Sequence, residues 1–262
     1  SDYFLSQGRY VFSKGEAVEV LGSTPNAVAA ALTRLRRRKE ILTIGEGVYA
    51  AVPPEYRSWG VVPAEWFIDD LMRHLKRPYY VALLSAARLH GSSHQAPQIF
   101  QVITTGASIR DRDFGRVRIR FYASQHVEKD KTVQLTTQTG YVVVAGKETT
   151  VVDLIAHPRD AGGYGNVATI IKEIGKLDGD ELARVASRRG RAAVRRTGWF
   201  VERFGEVEHL EALCAALDCL LGAGPCLWRW NLGILVQFLQ TIYKGLQALT
   251  GVALRQAGQV DP

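Results

Sequence analysis

Between Asn26 and Lys39 the apolar residues Val28, Leu32 and Leu35 recur at helical spacing, while Asn26, Ala30, Thr33, Arg34 and Arg37 fall on the opposite side. At about 100° per residue this pattern separates a face for a core from a face for a partner. The run is rich in Ala, Leu and Arg, all strong helix formers. Ser23 or Thr24 can cap its start with a side-chain oxygen, and Pro25 suits the first turn, where its missing N–H costs nothing. Upstream, Lys14 to Leu21 carries Ala17, Val18 and Leu21 as apolar positions and reads as a short helix, and Gly22 supplies a tight turn. Downstream, Ile41 to Ile44 runs into Gly45-Glu46-Gly47 and then Val48-Tyr49-Ala50, two short strands around a turn. In this order the pieces predict a winged helix-turn-helix over residues 1–57.

Val52-Pro53-Pro54 ends the hairpin, and Arg57 to Pro63 reads as a linker. From Ala64 to about residue 92 the pattern is helical, through Phe67-Ile68, Leu71 and Leu75 and then Val81 to His90. Gln98 to Thr104 reads as a strand, and Arg116 to Tyr122 alternates basic and apolar residues as a half-buried strand does. Val133–Thr136 and Tyr141–Ala145 complete a small sheet, and helices return from Thr149 to about Leu221, broken near Pro158, Gly179, Gly190 and Gly205. Strands clustered between helical blocks predict an α+β fold, a winged helix-turn-helix followed by a mixed α/β body with a helical C-terminal part. The body is expected at 64–222. Residues 223–262 read as an amphipathic tail in which Leu235, Leu239, Ile242, Leu246 and Leu249 form a stripe. Arg229, Asn231, Gln237, Gln240 and Lys244 interrupt the apolar run, which argues against a membrane span.

The chain has 262 residues, 47% hydrophobic and 23% charged, with a formal net charge of +7. That balance favours a polyanionic partner but identifies none, so the placement of charge matters more. The candidate DNA-binding residues are Lys14, Ser23, Thr24, Asn26, Thr33, Arg34, Arg36, Arg37 and Arg38. Asn can pair in two places with adenine and Arg with guanine, while further arginines hold phosphates. Glu46 sits at the hairpin tip, and no Lys or Arg lies between residues 40 and 56. The helix, more than the wing, is therefore expected to hold DNA. Arg188, Arg189, Arg191, Arg195 and Arg196 form a second basic cluster, readable as a partner or nucleic-acid patch or as a solvated helix end.

Candidate chemistry is thin. Cys214, Cys219 and Cys226 form no CxxC pair and have no histidine cluster nearby, so neither a metal site nor a secreted disulfide framework is expected. No leader-like succession opens the sequence, and a reducing cytoplasm is the expected compartment. Glu148 and Asp153, five residues apart, cannot share a helix face and are expected to be exposed or to cap helices. His90, His94 and His157 are scattered, and Ser92-Ser93 beside His94 resembles no nucleophile elbow. Ala161 to Asn166 precedes a helix over Val167–Lys176, whose free amides could hold an anion. The segment lacks the Lys-Ser/Thr ending of a phosphate loop and reads as a helix-start loop. No cofactor and no enzymatic activity are expected.

The segment from Leu5 to Tyr56, the block VALLSAARLHGSSHQAPQIFQVIT at 81–104 and KETTVVDLIAHP with GGYGNVATIIKEI between 147 and 174 together resemble AbiEi-type antitoxins. These are the regulators of type IV toxin–antitoxin pairs. The resemblance covers roughly residues 3–222 and leaves the tail beyond about 225 without a counterpart. It implies a repressor of its own operon that binds double-stranded operator DNA at inverted repeats, as a homodimer or cooperatively. It also implies a nucleotidyltransferase-like toxin as partner, countered through the C-terminal body by direct or indirect contact. Family roles carry over by position only to the helix face at Asn26, Thr33, Arg34 and Arg37. Two other readings stay open: a nucleic-acid-processing enzyme with a winged-helix targeting head, and a ligand-sensing repressor, which would need a closed apolar pocket in the body.

Overall fold

The computed structural model describes residues 2–92, 97–209, 211–213 and 215–216. The head runs α1 (Asp2–Ser6), β1 (Val11–Ser13), α2 (Lys14–Leu21), α3 (Pro25–Arg37), β2 (Ile41–Gly45) and β3 (Val48–Ala51). A capping box starts α2: Ser13 Oγ accepts from the Glu16 amide at 3.1 Å, and the Glu16 carboxylate accepts from the Ser13 amide at 2.7 Å. Arg9 pairs with the same carboxylate, and these donors hold Glu16 below its ordinary value against the opposing effect of burial. Gly22 takes a left-handed φ of 55° at the end of α2, which a residue without Cβ adopts at least cost, and turns the chain toward α3. Of the two candidate caps for α3 it is Thr24 that serves, accepting from the Ala27 amide at 3.3 Å.

The head sheet has the order β1-β3-β2, antiparallel throughout, with a bulge between Thr43 and Gly45. Val28 and Leu32 of α3 join Phe4, Phe12, Ala17, Ile41 and Ala51 in one core, with Leu35 packed against it, so the predicted stripe is the buried one. The Phe4 and Phe12 rings stack at 4.2 Å. Order and pairing are compatible with a winged helix-turn-helix. Neither α1 nor β1 is visible as a pattern in the sequence, being too short to show a period.

The segment read as a linker is instead a packed joint. Pro54–Tyr56 and Ala64–Trp66 form single 3-10 turns, and Val61 and Val62 between them are buried. The Tyr10 and Tyr56 rings meet the edge of Trp66 at 5.3 and 5.1 Å. A side chain added at Gly45 of the hairpin would lie 3.2 Å from Leu71 Cδ1. Polar flanks at Arg57 and Ser58 suggest a linker, but Val61-Val62 supplies the apolar surface that closes it.

The body continues with α4 (Ile68–His74), β4 (Tyr79–Val81), α5 (Leu83–Leu89), β5 (Ile99–Thr104), β6 (Arg112–Asp113), β7 (Arg118–Ala123), β8 (Thr132–Thr137) and β9 (Gly140–Ala145). Then come α6 (Lys147–Ala156), α7 (Tyr164–Glu173), β10 (Lys176–Asp178), α8 (Gly179–Arg188), α9 (Arg191–Phe204) and β11 (Glu206–Glu208). Six strands form a mixed sheet in the order β6-β7-β5-β4-β9-β8, with β5–β7 and β4–β9 parallel. The fold is thus mixed α+β. On β7, Ile119 and Phe121 face the core while Arg118 is exposed and Arg120 pairs with Asp160 at 2.8 Å, as the alternation predicts. The helix expected over Val81–His90 is shorter. Tyr79, Tyr80 and Val81 are all buried in β4, and fully buried strands do not alternate. Leu83, with φ 51°, marks the switch from strand to helix. Helix α6 is buried almost end to end and packs against α5, α7, α8 and α9.

Candidate nucleic-acid interface and a buried arginine network

The outward side of α3 is built by exclusion. Its apolar stripe is committed to the head core, so Asn26, Thr33, Arg34, Arg36, Arg37 and Arg38 are exposed. Among the described residues none of these four arginines has a carboxylate partner, although Glu40 follows closely in sequence. Three of them, Arg34, Arg36 and Arg37, lie in the last turn, where the negative end of the helix dipole favours cations. Thirteen residues give α3 a length of about 20 Å. The arginines therefore lie at the opposite end from Asn26. Thr33 donates its hydroxyl to the Ala29 carbonyl at 2.9 Å, which leaves its methyl group outermost. Ser23 is exposed beside the cap Thr24, whose oxygen is engaged in its own helix. Lys14 is half-buried, and its backbone amide donates to the Gly47 carbonyl at 2.8 Å, tying α2 to the wing turn.

The second basic cluster does not form one surface. Arg189 donates to Asp130 Oδ2 at 2.7 Å and to Asp153 Oδ1 at 2.8 Å, and Arg188 donates to Asp130 Oδ1 at 2.9 Å. Tyr80 completes the group, its hydroxyl donating to Asp153 Oδ2 at 3.0 Å. Side-chain exposure falls from 24% for Arg188 and 12% for Arg189 to 3% for Asp153 and 0% for Asp130. Bonds from Arg189 and Arg188 hold the Asp130 carboxyl below the ordinary range although burial opposes them. For Asp153 burial dominates and pushes the carboxyl up, against the pull of Arg189 and Tyr80. Arg191, Arg195 and Arg196 are exposed on α9. The five residues thus divide into a half-buried pair at the end of α8, paired with buried aspartates, and an exposed trio on the next helix.

The expectation of exposed carboxylates on α6 is overturned. Glu148 is buried and accepts from the Asp178 amide at 3.1 Å, fastening β10 to α6, while Asp153 lies in the arginine network. Sequence reasoning missed that network because Asp130 reaches Arg188 across 58 positions and Tyr80 reaches Asp153 across 73. The one signal in the sequence is the carboxylate of Asp153 within the apolar stretch 151–156.

The histidines serve the fold. His90 donates Nε2–H to the Ala145 carbonyl at 2.7 Å, and burial lowers its pKa, while His157 Nδ1 lies 3.1 Å from the Asp153 carbonyl. Ser92 donates to the Ala87 carbonyl at 2.9 Å. Gly162 and Gly163 precede α7, which begins at Tyr164, and Asn166 closes the turn by donating to the Ala161 carbonyl at 2.8 Å. Ser93 and His94, the three cysteines and the tail from 223 onward lie outside the described residues. Among the described residues no helix is long and apolar enough to cross a membrane, and no group of three His, Cys, Asp or Glu could hold a metal ion.

Residues 80–203 match the family model of the AbiEi antitoxin C-terminal domain. No curated protein matches the chain. Among solved structures, the RV2827C protein from Mycobacterium tuberculosis is similar at a TM-score of 0.58 and 16% identity, over 83% of this chain and 78% of that one. At that identity the likeness shows the fold alone. An antigenic nucleotidyltransferase-like protein from Paracoccidioides brasiliensis also aligns, with a TM-score of 0.34 and 9% identity over 61% of this chain and 95% of that one.

Proposed function

We propose that this chain, whose body is an AbiEi antitoxin domain, is a cytoplasmic antitoxin that represses its own toxin–antitoxin operon by binding inverted repeats through α3. In this reading the head, residues 1–57, reads DNA, and the body, 64–222, counters a nucleotidyltransferase-like toxin. The observation that carries the DNA part is the outward face of α3, where a capped helix buries its stripe and leaves four arginines without carboxylates among the described residues. Such cations release counterions on binding a duplex. Asn26 and the Thr33 methyl lie on the same exposed face and supply readers of adenine and of the thymine methyl. The symmetry of inverted repeats calls for two copies of the chain.

The test uses the full chain with its own promoter and a random duplex over a series of salt concentrations. Affinity should fall with a log–log slope of about −0.9 per neutralised phosphate. Asn26→Ala and Thr33→Ala should relax sequence preference and leave random-duplex binding nearly intact. Arg37→Ala should weaken both duplexes alike and flatten the slope by about one contact. Equal losses on both duplexes for all three variants would remove α3 as the reader.

A further inference from the structure

A cleft of about 270 Å³ opens at the carboxyl ends of the parallel strands β5 and β7, walled by α6 and by the start of α9. Crevices at the carboxyl ends of parallel strands are where open α/β sheets hold ligands. We infer that this cleft is a binding site for a small organic phosphate, a phosphate monoester carrying an apolar group.

Four features point to that chemistry. First, the cleft is lined by Ala192 and Ala193 from the first turn of α9, whose cap residue, Gly190, offers no side chain to the helix amides. The Ala193 amide donates to the Gly190 carbonyl at 3.0 Å, so the Ala192 amide, one place earlier, is the one this start offers to an oxygen of a tetrahedral anion. Second, Arg196 lines the cleft, is exposed, and has no carboxylate partner among the described residues. The one carboxylate in the lining, Asp153, is engaged by Arg189 and Tyr80. His126 and His157 line the same space and bring no negative charge. Third, Thr197 lines the cleft, is completely buried, and its hydroxyl has no hydrogen-bond partner among the described residues. A buried hydroxyl left alone in a folded core calls for an explanation, and a ligand oxygen supplies one. Fourth, Ile103, Val152 and Ile155 give the rest of the lining an apolar character, which a free inorganic ion would leave unused.

The experiment titrates the full chain with phenyl phosphate and AMP, and with phenol and adenosine as phosphate-free counterparts, by calorimetry and by thermal shift. Saturable binding of a phosphorylated probe is expected, with the melting temperature rising with its concentration. Arg196→Gln should weaken it about tenfold, the loss of one charge-assisted contact. Thr197→Val, which keeps the shape and removes the hydroxyl, should also weaken binding. If Thr197 is only an unsatisfied core group, that variant melts higher and binds as before. Arg195→Gln on the same helix, outside the cleft, should bind like the parent. Four results would overturn the site: no saturable binding of either phosphate, equal binding of adenosine and AMP, an unchanged affinity in Arg196→Gln, or an unchanged affinity in Thr197→Val.

Discussion

The head and the body each carry a run of arginines at the end of a helix, and the two runs have opposite fates. Among the described residues Arg34, Arg36, Arg37 and Arg38 end α3 without carboxylate partners, whereas Arg188 and Arg189 end α8 with two buried aspartates closed over them. The helices are not the cause, since both runs occupy a last turn favoured by the dipole. What differs is the long-range partner. In the body the β7–β8 loop brings Asp130 over the end of α8, and α6 brings Asp153. Among the described residues no comparable acidic loop covers α3. Charge density in a sequence therefore does not tell a binding face from a structural clamp, because the counter-charge is delivered by the fold.

The largest test of that contrast is stability. Asp130→Ala takes away the carboxylate of Arg188 and one of the two held by Arg189, and breaking a buried pair costs about 3–5 kcal/mol. The urea midpoint should fall accordingly, whereas Arg34→Ala with Arg37→Ala should leave it within about 0.5 kcal/mol. The same double variant should show its effect on operator affinity, losing about 1–3 kcal/mol for each arginine that reads a base. In cells it should lose repression yet still rescue growth against the toxin. Arg191→Glu with Arg195→Glu, on the exposed trio, should do the reverse without a change in melting temperature. Full rescue by that folded pair would take Arg191 and Arg195 out of toxin control.

Next in size is the response to acid. Asp130 has a lowered pKa in the folded chain, so its contribution is present above the ordinary Asp value of 3.8 and drains away as pH falls through the depressed one. Asp153, raised by burial, takes up its proton at higher pH when folded than when unfolded, and its contribution has the opposite slope. Urea midpoints between pH 5 and pH 3, on the order of the ordinary carboxylate range, should therefore drop less steeply in Asp130→Asn than in the parent. A parallel drop in both would mean that Asp130 is not the acid-sensitive group. The smallest effect belongs to the cap of α3, where Thr24→Ala should cost about 1 kcal/mol and Ser23→Ala close to nothing.

How much of this was legible in the sequence follows the range of the interactions. α2, Gly22, α3 and the hairpin depend on neighbours within a few positions, and their stripe, cap and turn residues could be read directly. β5 and β7 were legible because one of their faces is wet or because the run is long. Short or fully buried strands such as β1, β4, β10 and β11 leave no period, so Val81 was absorbed into a helix and the others were missed. The arginine network and the packed joint depend on contacts between distant segments, and only three dimensions show them. On α3 the exposed face could be named residue by residue, whereas at the cleft nothing in the sequence sets Arg196 beside His126.

The joint between hairpin and α4 has a consequence for the chain as a severable object. Ser58 and Trp59 are exposed in its turn and would be open to a nick, yet Ala50, Ala51 and Val52 on one side and Val61 and Val62 on the other are buried. A cut there would break the covalent thread and leave the two pieces clasped through Gly45, Leu71, Tyr10 and Trp66. The pieces would part only when the clasp itself opens, so a scissile peptide bond in this place is not a release point. Halves made as separate chains should find each other and reassemble.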